Sequence, residues 1–421
     1  MKKIFALLLV CSLMFLTACN QTPPSETTES NSQNQESPDN SLPQGIVKNG
    51  SSYLMETPSR VILGTSTPED YVFYYSKADG KAYVYCFDPL CDHSGGKCFA
   101  KPDDVVNIFK FDLRCTFLIN NRFYYVASYG HIYSFSFDGS DLKLEYGDKS
   151  LTTEDFIKLQ MLWSQNYITY DKYIYINLNA DEEGNPRSLR FNTETKEMED
   201  LTEKTGNVIL PYFFYNGEIY GLNANLRTIW VKADLELKEM TPIEAQPTNN
   251  IFYGSLFFET AHEEPMNYNN PKYLGIKATD VATGEVKIYT HEMLGIEDGV
   301  YCQILAVDEN YVYFYKREEV LVGQRETIWG LENTYKYNDG KLYRVKHDGT
   351  ECTCIYDPPT EEFEILSRLG NSVVFGDKIL IRAGYIGVRD GYATGWDSGW
   401  KVGTIGSDGK IKEFENVEFI Y

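Results

Sequence analysis

The chain has 421 residues, 43% hydrophobic and 14% aromatic, enough apolar surface to build a sizeable core. Its 39 lysines and arginines against 61 aspartates and glutamates leave a formal charge of −22, which repels phosphate backbones and anionic surfaces. Nucleic acid is thereby excluded as an expected partner.

Met1-Lys2-Lys3 followed by an apolar run from Ile4 to Leu16 has the charged and hydrophobic regions of a secretory signal. The run is shorter than the roughly 20 apolar residues that span a bilayer. It closes on Leu16-Thr17-Ala18-Cys19, which resembles the lipobox of bacterial lipoproteins. That resemblance implies loss of residues 1–18 as signal peptide, a diacylglyceryl thioether on Cys19, and anchoring of the mature chain to the cell membrane on its extracytoplasmic side. With acyl burial at roughly 0.8 kcal/mol per methylene, more than one chain gives stable anchoring. Residues 19–50 then form a lipidated cysteine and a polar tether. Its Ser, Thr, Asn, Gln, Glu and Pro bury too little surface to fold, and it spans roughly 30 Å on average.

From Ser51 to Tyr421 the composition turns to Tyr, Phe, Val and Ile with turn residues at short intervals, and one all-β domain is expected over 51–421. Ile132-Tyr133-Ser134-Phe135-Ser136-Phe137 alternates with the period of a strand and runs into Asp138-Gly139, a tight-turn dipeptide. Comparable hairpins are predicted at Asp79-Gly80, Thr193-Glu194, Asp234, Thr283-Gly284, Asp348-Gly349 and Asp408-Gly409. They recur about every 55 residues, the length of a four-stranded blade, which predicts a β-propeller with seven blades and leaves six or eight open. Asn216-Gly217 and Asp339-Gly340 are expected to join the second and third strands of their blades. The competing architecture is two β-sandwiches joined near Thr241 to Asn250, and Thr153 to Gln165 reads equally as a capped helix or an inner strand.

The stretches Ile132 to Ser140 and Leu342 to Thr350 look like the repeats of uncharacterised propeller lipoproteins of Gram-positive-type bacteria, distant relatives of YWTD propellers. What the resemblance implies is a membrane-tethered, surface-exposed propeller. It transfers no activity and no functional residue.

Cys86, Cys91, His93 and Cys98 lie within thirteen residues, at spacings of four, one and four, bent by Pro89 and Gly95-Gly96. Four such ligands suit one tetrahedral, structural zinc, and the segment also looks like the cysteine-rich stretch of the same lipoprotein family. A disulfide between two of the thiols is the rival reading. Beyond Cys11 and Cys19 the chain keeps Cys86, Cys91, Cys98, Cys115, Cys302, Cys352 and Cys354, an odd set that cannot pair completely within one chain. Cys352 and Cys354 are expected to share one strand face and pack as small apolar residues.

Between Arg382 and Trp400, glycines interleave with rings and charges. Tyr392, Trp396 and Trp400 could stack on sugar faces while Arg389, Asp390 and Asp397 bond hydroxyls, or the rings could simply cover the last blade. Catalytic motifs are sparse: the chain has five histidines, no Gly-x-Ser-x-Gly elbow and no His-Glu-x-x-His helix. His262-Glu263 and His291-Glu292 are expected to be surface pairs. Asn177-x-Asn179-x-Asp181 opens like a calcium loop but has Glu182 where glycine belongs. The expected function is ligand binding without catalysis, with a glycan or a protein partner. The alternatives are a carbohydrate-active lyase or hydrolase, with carboxylates at the propeller axis, and an envelope scaffold or sensor.

Overall fold

The computed structural model describes residues 54–57, 59–63, 72–86, 90–91, 116–120, 122–126, 131–136, 141–147, 163–178, 185–225, 229–244, 251–263, 272–327, 330–338, 341–358, 363–365, 372–389 and 392–421. They form seven antiparallel meanders arranged in a ring, a seven-bladed β-propeller. Blades one to seven span 54–84, 116–146, 163–200, 209–242, 251–290, 301–356 and 363–416. Six of the seven hairpins read from the sequence are the third-to-fourth strand turns of their blades, and Asp138-Gly139 lies outside the described residues, between Ile132–Ser136 and Lys143–Tyr146. The two-sandwich alternative is excluded, because Pro242 ends the outer strand of blade four instead of opening a linker. Asn216-Gly217 is corrected to a first-to-second strand turn, between Ile209–Tyr215 and Glu218–Asn223. Its Asn216 has φ 48° and Gly217 φ 76°, the left-handed geometry that lets a two-residue loop match strand twist. The inner strand of blade three, Trp163–Tyr170, takes the end of the segment left open, and 151–162 lie outside the described residues.

Period-two alternation sends neighbouring side chains to opposite faces of a blade, so each blade fills two seams. Phe257 and Phe258 show this: both are 0% exposed. Phe257 packs with Phe213, Tyr220 and Trp230 of blade four, whereas Phe258 packs with Val312, Phe314 and Val345 of blade six. Full burial of such a ring contributes about 1.5–3 kcal/mol. Polar latches then set the angle between blades. The hydroxyl of Tyr124 in blade two donates to Thr193 O of blade three at 3.3 Å, and that of Tyr175 in blade three to Leu235 O of blade four at 3.2 Å. Between blades five and six, the Tyr289 hydroxyl donates to His347 O and the Lys287 ammonium to Asp348 O. Buried Arg190 adds Nη1 to Glu236 at 2.6 Å and Nη2 to Glu199 at 2.5 Å, with its guanidinium 4.7 Å from the Tyr173 ring.

Ring closure uses a strand the repeat pattern does not announce. Phe419–Ile420 adds parallel to Ala82–Val84, the fourth strand of blade one. Phe419 and Tyr421 meet the Phe73 ring edge-on at 4.7 and 5.5 Å, and Lys81 pairs with Glu418 at 2.8 Å. Val373, Leu380, Trp400 and Val402 of blade seven share one core cluster with Val61, Phe73 and Tyr75 of blade one, so first and last blades are packed together.

Candidate functional face

Four antiparallel strands return the chain to the side on which it started. The first-to-second and third-to-fourth turns therefore lie on one side of the ring, and the second-to-third and blade-to-blade connections on the other. The first side carries tight turns. The second carries the connections long enough to form a surface, and two of its connections are built as long hairpins.

In blade six the second strand, Tyr311–Thr327, pairs with its blade neighbours only as far as Arg317. It continues as a two-stranded ribbon with Gly330–Asn338, from Glu318↔Asn338 to Thr327↔Gly330. Ten residues at about 3.3 Å each carry the ribbon roughly 30 Å past the blade. In blade seven, Lys378–Arg389 and Tyr392–Ile405 pair from Lys378↔Thr404 to Arg389↔Tyr392, and because Phe363–Ile365 stays paired with Ala383–Tyr385 this hairpin outruns its blade only from Ile386 onward. The strands Gly330–Asn338 and Tyr392–Ile405 approach one another, which sets the two hairpins side by side.

The second hairpin gathers most of the residues expected to bind a ligand. Arg389 stands opposite Tyr392, Trp396 opposite Ile386, and Asp397 opposite Tyr385, with a register shift between Ile386 and Val388. Asp390 lies outside the described residues. Trp400 departs from the expectation of an exposed stacking ring: it is 2% exposed and packs with Leu380 and Val402. Its strand has by then entered the blade, opposite Arg382, so this ring packs in the last blade. The blade-six ribbon had no sequence motif of its own; its trace is the interval between Thr283-Gly284 and Asp348-Gly349, the widest in the series.

The cysteine-rich segment falls between the last strand of blade one and the first of blade two, and only its Cys86, Leu90 and Cys91 are among the described residues. Cys86 and Cys91 are half-buried and pack against the core cluster of blades one and two. His93 and Cys98 lie outside the described residues, as does Cys115. Among the described residues no group of three potential ligands is close enough to hold a metal. The remaining thiols are structural: burial pushes Cys302 and Cys352 up to about 12, and raises Cys354, whose Sγ donates to Tyr356 O at 3.3 Å.

One other sequence reading changes. His291 is 4% exposed, not a surface residue. Its Nε2 lies 2.9 Å from Val300 O and its Nδ1 receives Gly299 N–H at 3.3 Å, tying down the loop after the short helix His291–Leu294. Asn177 is 1% exposed, and its amide donates to Arg187 O and Ile209 O, both at 3.3 Å, which makes it a seam residue between blades three and four.

No protein-family model and no curated protein matches the chain. Among solved structures it is similar to YCF48 bound to D1 peptide, at 10% identity over 82% of this chain and 91% of that one, TM-score 0.40. It is also similar to BamB from Moraxella catarrhalis, at 11% identity over 78% and 76%, TM-score 0.34. An oligogalacturonate lyase in complex with manganese matches at 10% identity, TM-score 0.35, over 58% of this chain and only 62% of the lyase. Likeness at this level says nothing about activity or partners.

Proposed function

We propose that the protein is a membrane-anchored, extracytoplasmic propeller lipoprotein that binds a glycan or an envelope protein, without catalysis, on the face bearing the two long hairpins. The observation that carries this reading is the continuation of two adjacent second strands beyond the ring, at Tyr311–Thr327 and Lys378–Arg389. Beyond Arg317 and beyond Tyr385 these strands pair, among the described residues, only within their own hairpins. Backbone left outside the packed ring and held as paired strands is suited to meeting a partner, as loops on a rigid scaffold commonly are. Arg389, Tyr392, Trp396 and Asp397 bring rings and hydrogen-bonding groups to one of those hairpins, and Asp390, outside the described residues, is the further candidate of the same stretch.

The cysteine-rich connection serves as a brace for the face, and one structural zinc on Cys86, Cys91, His93 and Cys98 is the form of brace we favour over a disulfide.

Replacing 319–337 by a two-residue turn tests the assignment. The shortened protein is expected to stay folded and to lose the thermal shift that a glycan panel or an envelope extract gives the full chain. Unchanged shifts in a folded deletion variant would remove the hairpin face from the account. Mass spectrometry of the native protein is expected to find a diacylated Cys19 as first residue, and an unmodified amino terminus upstream of it would contradict the anchor.

A further inference from the structure

The outer strands of a propeller are sheet edges, and most of those described here are protected. Blade one is capped by Phe419–Ile420. Blade four has an outer strand of three residues ending in Pro242. Blade seven presents Lys412, Glu413 and Glu415 at exposed positions of Ile411–Asn416. In blade two the exposed Tyr146 packs against Phe191 of the next blade at 6.1 Å. Short strands, proline, charge and covering segments are the usual means of keeping an edge from pairing with another chain.

The outer strand of blade five has no proline and no covering strand among the described residues, and its one charged residue, the exposed Lys287, is held by blade six. This strand, Val286–Thr290, is five residues long and pairs, among the described residues, with Tyr273–Asp280 alone. Lys287 and Tyr289 turn toward blade six, where they hold Asp348 O and His347 O. Val286 and Ile288 alternate with them and stand on the opposite sheet face, 53% and 39% exposed. Met293, 43% exposed, follows in the helix His291–Leu294. Glu285 and Glu292 are exposed at the two ends, while the strand's own cation, Lys287, is held by Asp348 O, and Lys277, opposite Ile288, pairs with Glu259 at 2.6 Å.

We propose that the outer edge of blade five is a strand-addition site for an extended, basic segment of a partner protein, its apolar residues alternating with lysine or arginine. Main-chain pairing along Val286–Thr290 supplies affinity, Val286 and Ile288 take the alternate apolar side chains, and Glu285 and Glu292 meet the cations. The molecule already uses this mode on itself, where Phe419–Ile420 joins the outer strand of blade one. A second copy is the poorer occupant, since two chains of charge −22 repel each other and each brings the same glutamates to the contact. The site lies on the rim and does not depend on the hairpin face.

The test uses the full chain, labelled alternating Val–Lys and Val–Glu peptides as probes, and hydrogen exchange to locate them. The Val–Lys peptide is expected to bind at least about tenfold more tightly and to protect amides within 286–290. Ile288→Lys, at an exposed position, is expected to cut that binding by about tenfold or more with an unchanged melting temperature. Glu285→Gln with Glu292→Gln is expected to narrow the preference between the two peptides. Equal affinity for both peptides, protection elsewhere, or binding indifferent to Ile288→Lys would overturn the proposal. So would concentration-dependent dimerisation abolished by Ile288→Lys, which would make a second copy the occupant.

Discussion

Gly349 and Gly284 both lie in third-to-fourth strand turns with φ +79° each, yet their surroundings differ. A Cβ on Gly349 would sit 2.4 Å from the Tyr289 ring in the seam between blades five and six, whereas one on Gly284 meets nothing within 4 Å. Gly284→Ala is expected to cost about 1 kcal/mol for its left-handed backbone, and Gly349→Ala about 1–3 kcal/mol more for displacing the ring, as read from urea midpoints. Equal costs would contradict the packing of this seam. His347 stands beside it, with its ring 4.9 Å from Tyr253 and 5.3 Å from Phe258. Burial holds it below the ordinary histidine value despite the opposing influence of Asp308 and Asp348. Because the folded state binds its proton less readily than the unfolded state, this contribution to stability is complete above the unfolded value of about 6.5. It is lost as pH falls from there toward the depressed folded value. The melting temperature is therefore expected to drop between pH 7 and pH 5 more steeply in the native protein than in His347→Gln, and parallel curves would contradict it.

At the scale of single elements, the closing strand and the hairpins make opposite predictions. Removing 418–421 deletes the parallel pairing on Ala82–Val84, the Lys81–Glu418 pair and the Phe419 and Tyr421 contacts with Phe73. A loss of about 2–4 kcal/mol is expected, mostly from aromatic burial, with the largest gain in amide exchange in blades one and seven. Deleting 319–337 removes pairs made only within the hairpin, so the ring is expected to melt within a few degrees of the full chain. Legibility in the sequence followed the same division. Turns such as Asp348-Gly349 repeat because each blade needs one, and their spacing disclosed seven blades. The hairpin over 318–338 occurs outside that repeat, so no period announces it, and the closing strand is two residues with no local signature. Trp400 misled because aromatic spacing alone does not say where a strand passes from ribbon into packed blade.

For the whole molecule, alternation gives every blade two apolar faces, and the seams they fill leave function to the edges, turns and connections. The antiparallel order sorts those connections into a tight side and an elaborated side before any side chain is considered. That sorting was implicit in the sequence, but the adjacency of blades six and seven, and hence of their hairpins, became visible only with the ring. The most direct test places a photo-reactive residue at Gln324 on the blade-six hairpin and, separately, at Glu239 on the opposite side, in cells producing the full chain. Crosslinking from position 324 to an envelope protein or glycan, with none from 239, is the predicted result; capture from 239 alone would contradict the hairpin face as the binding surface.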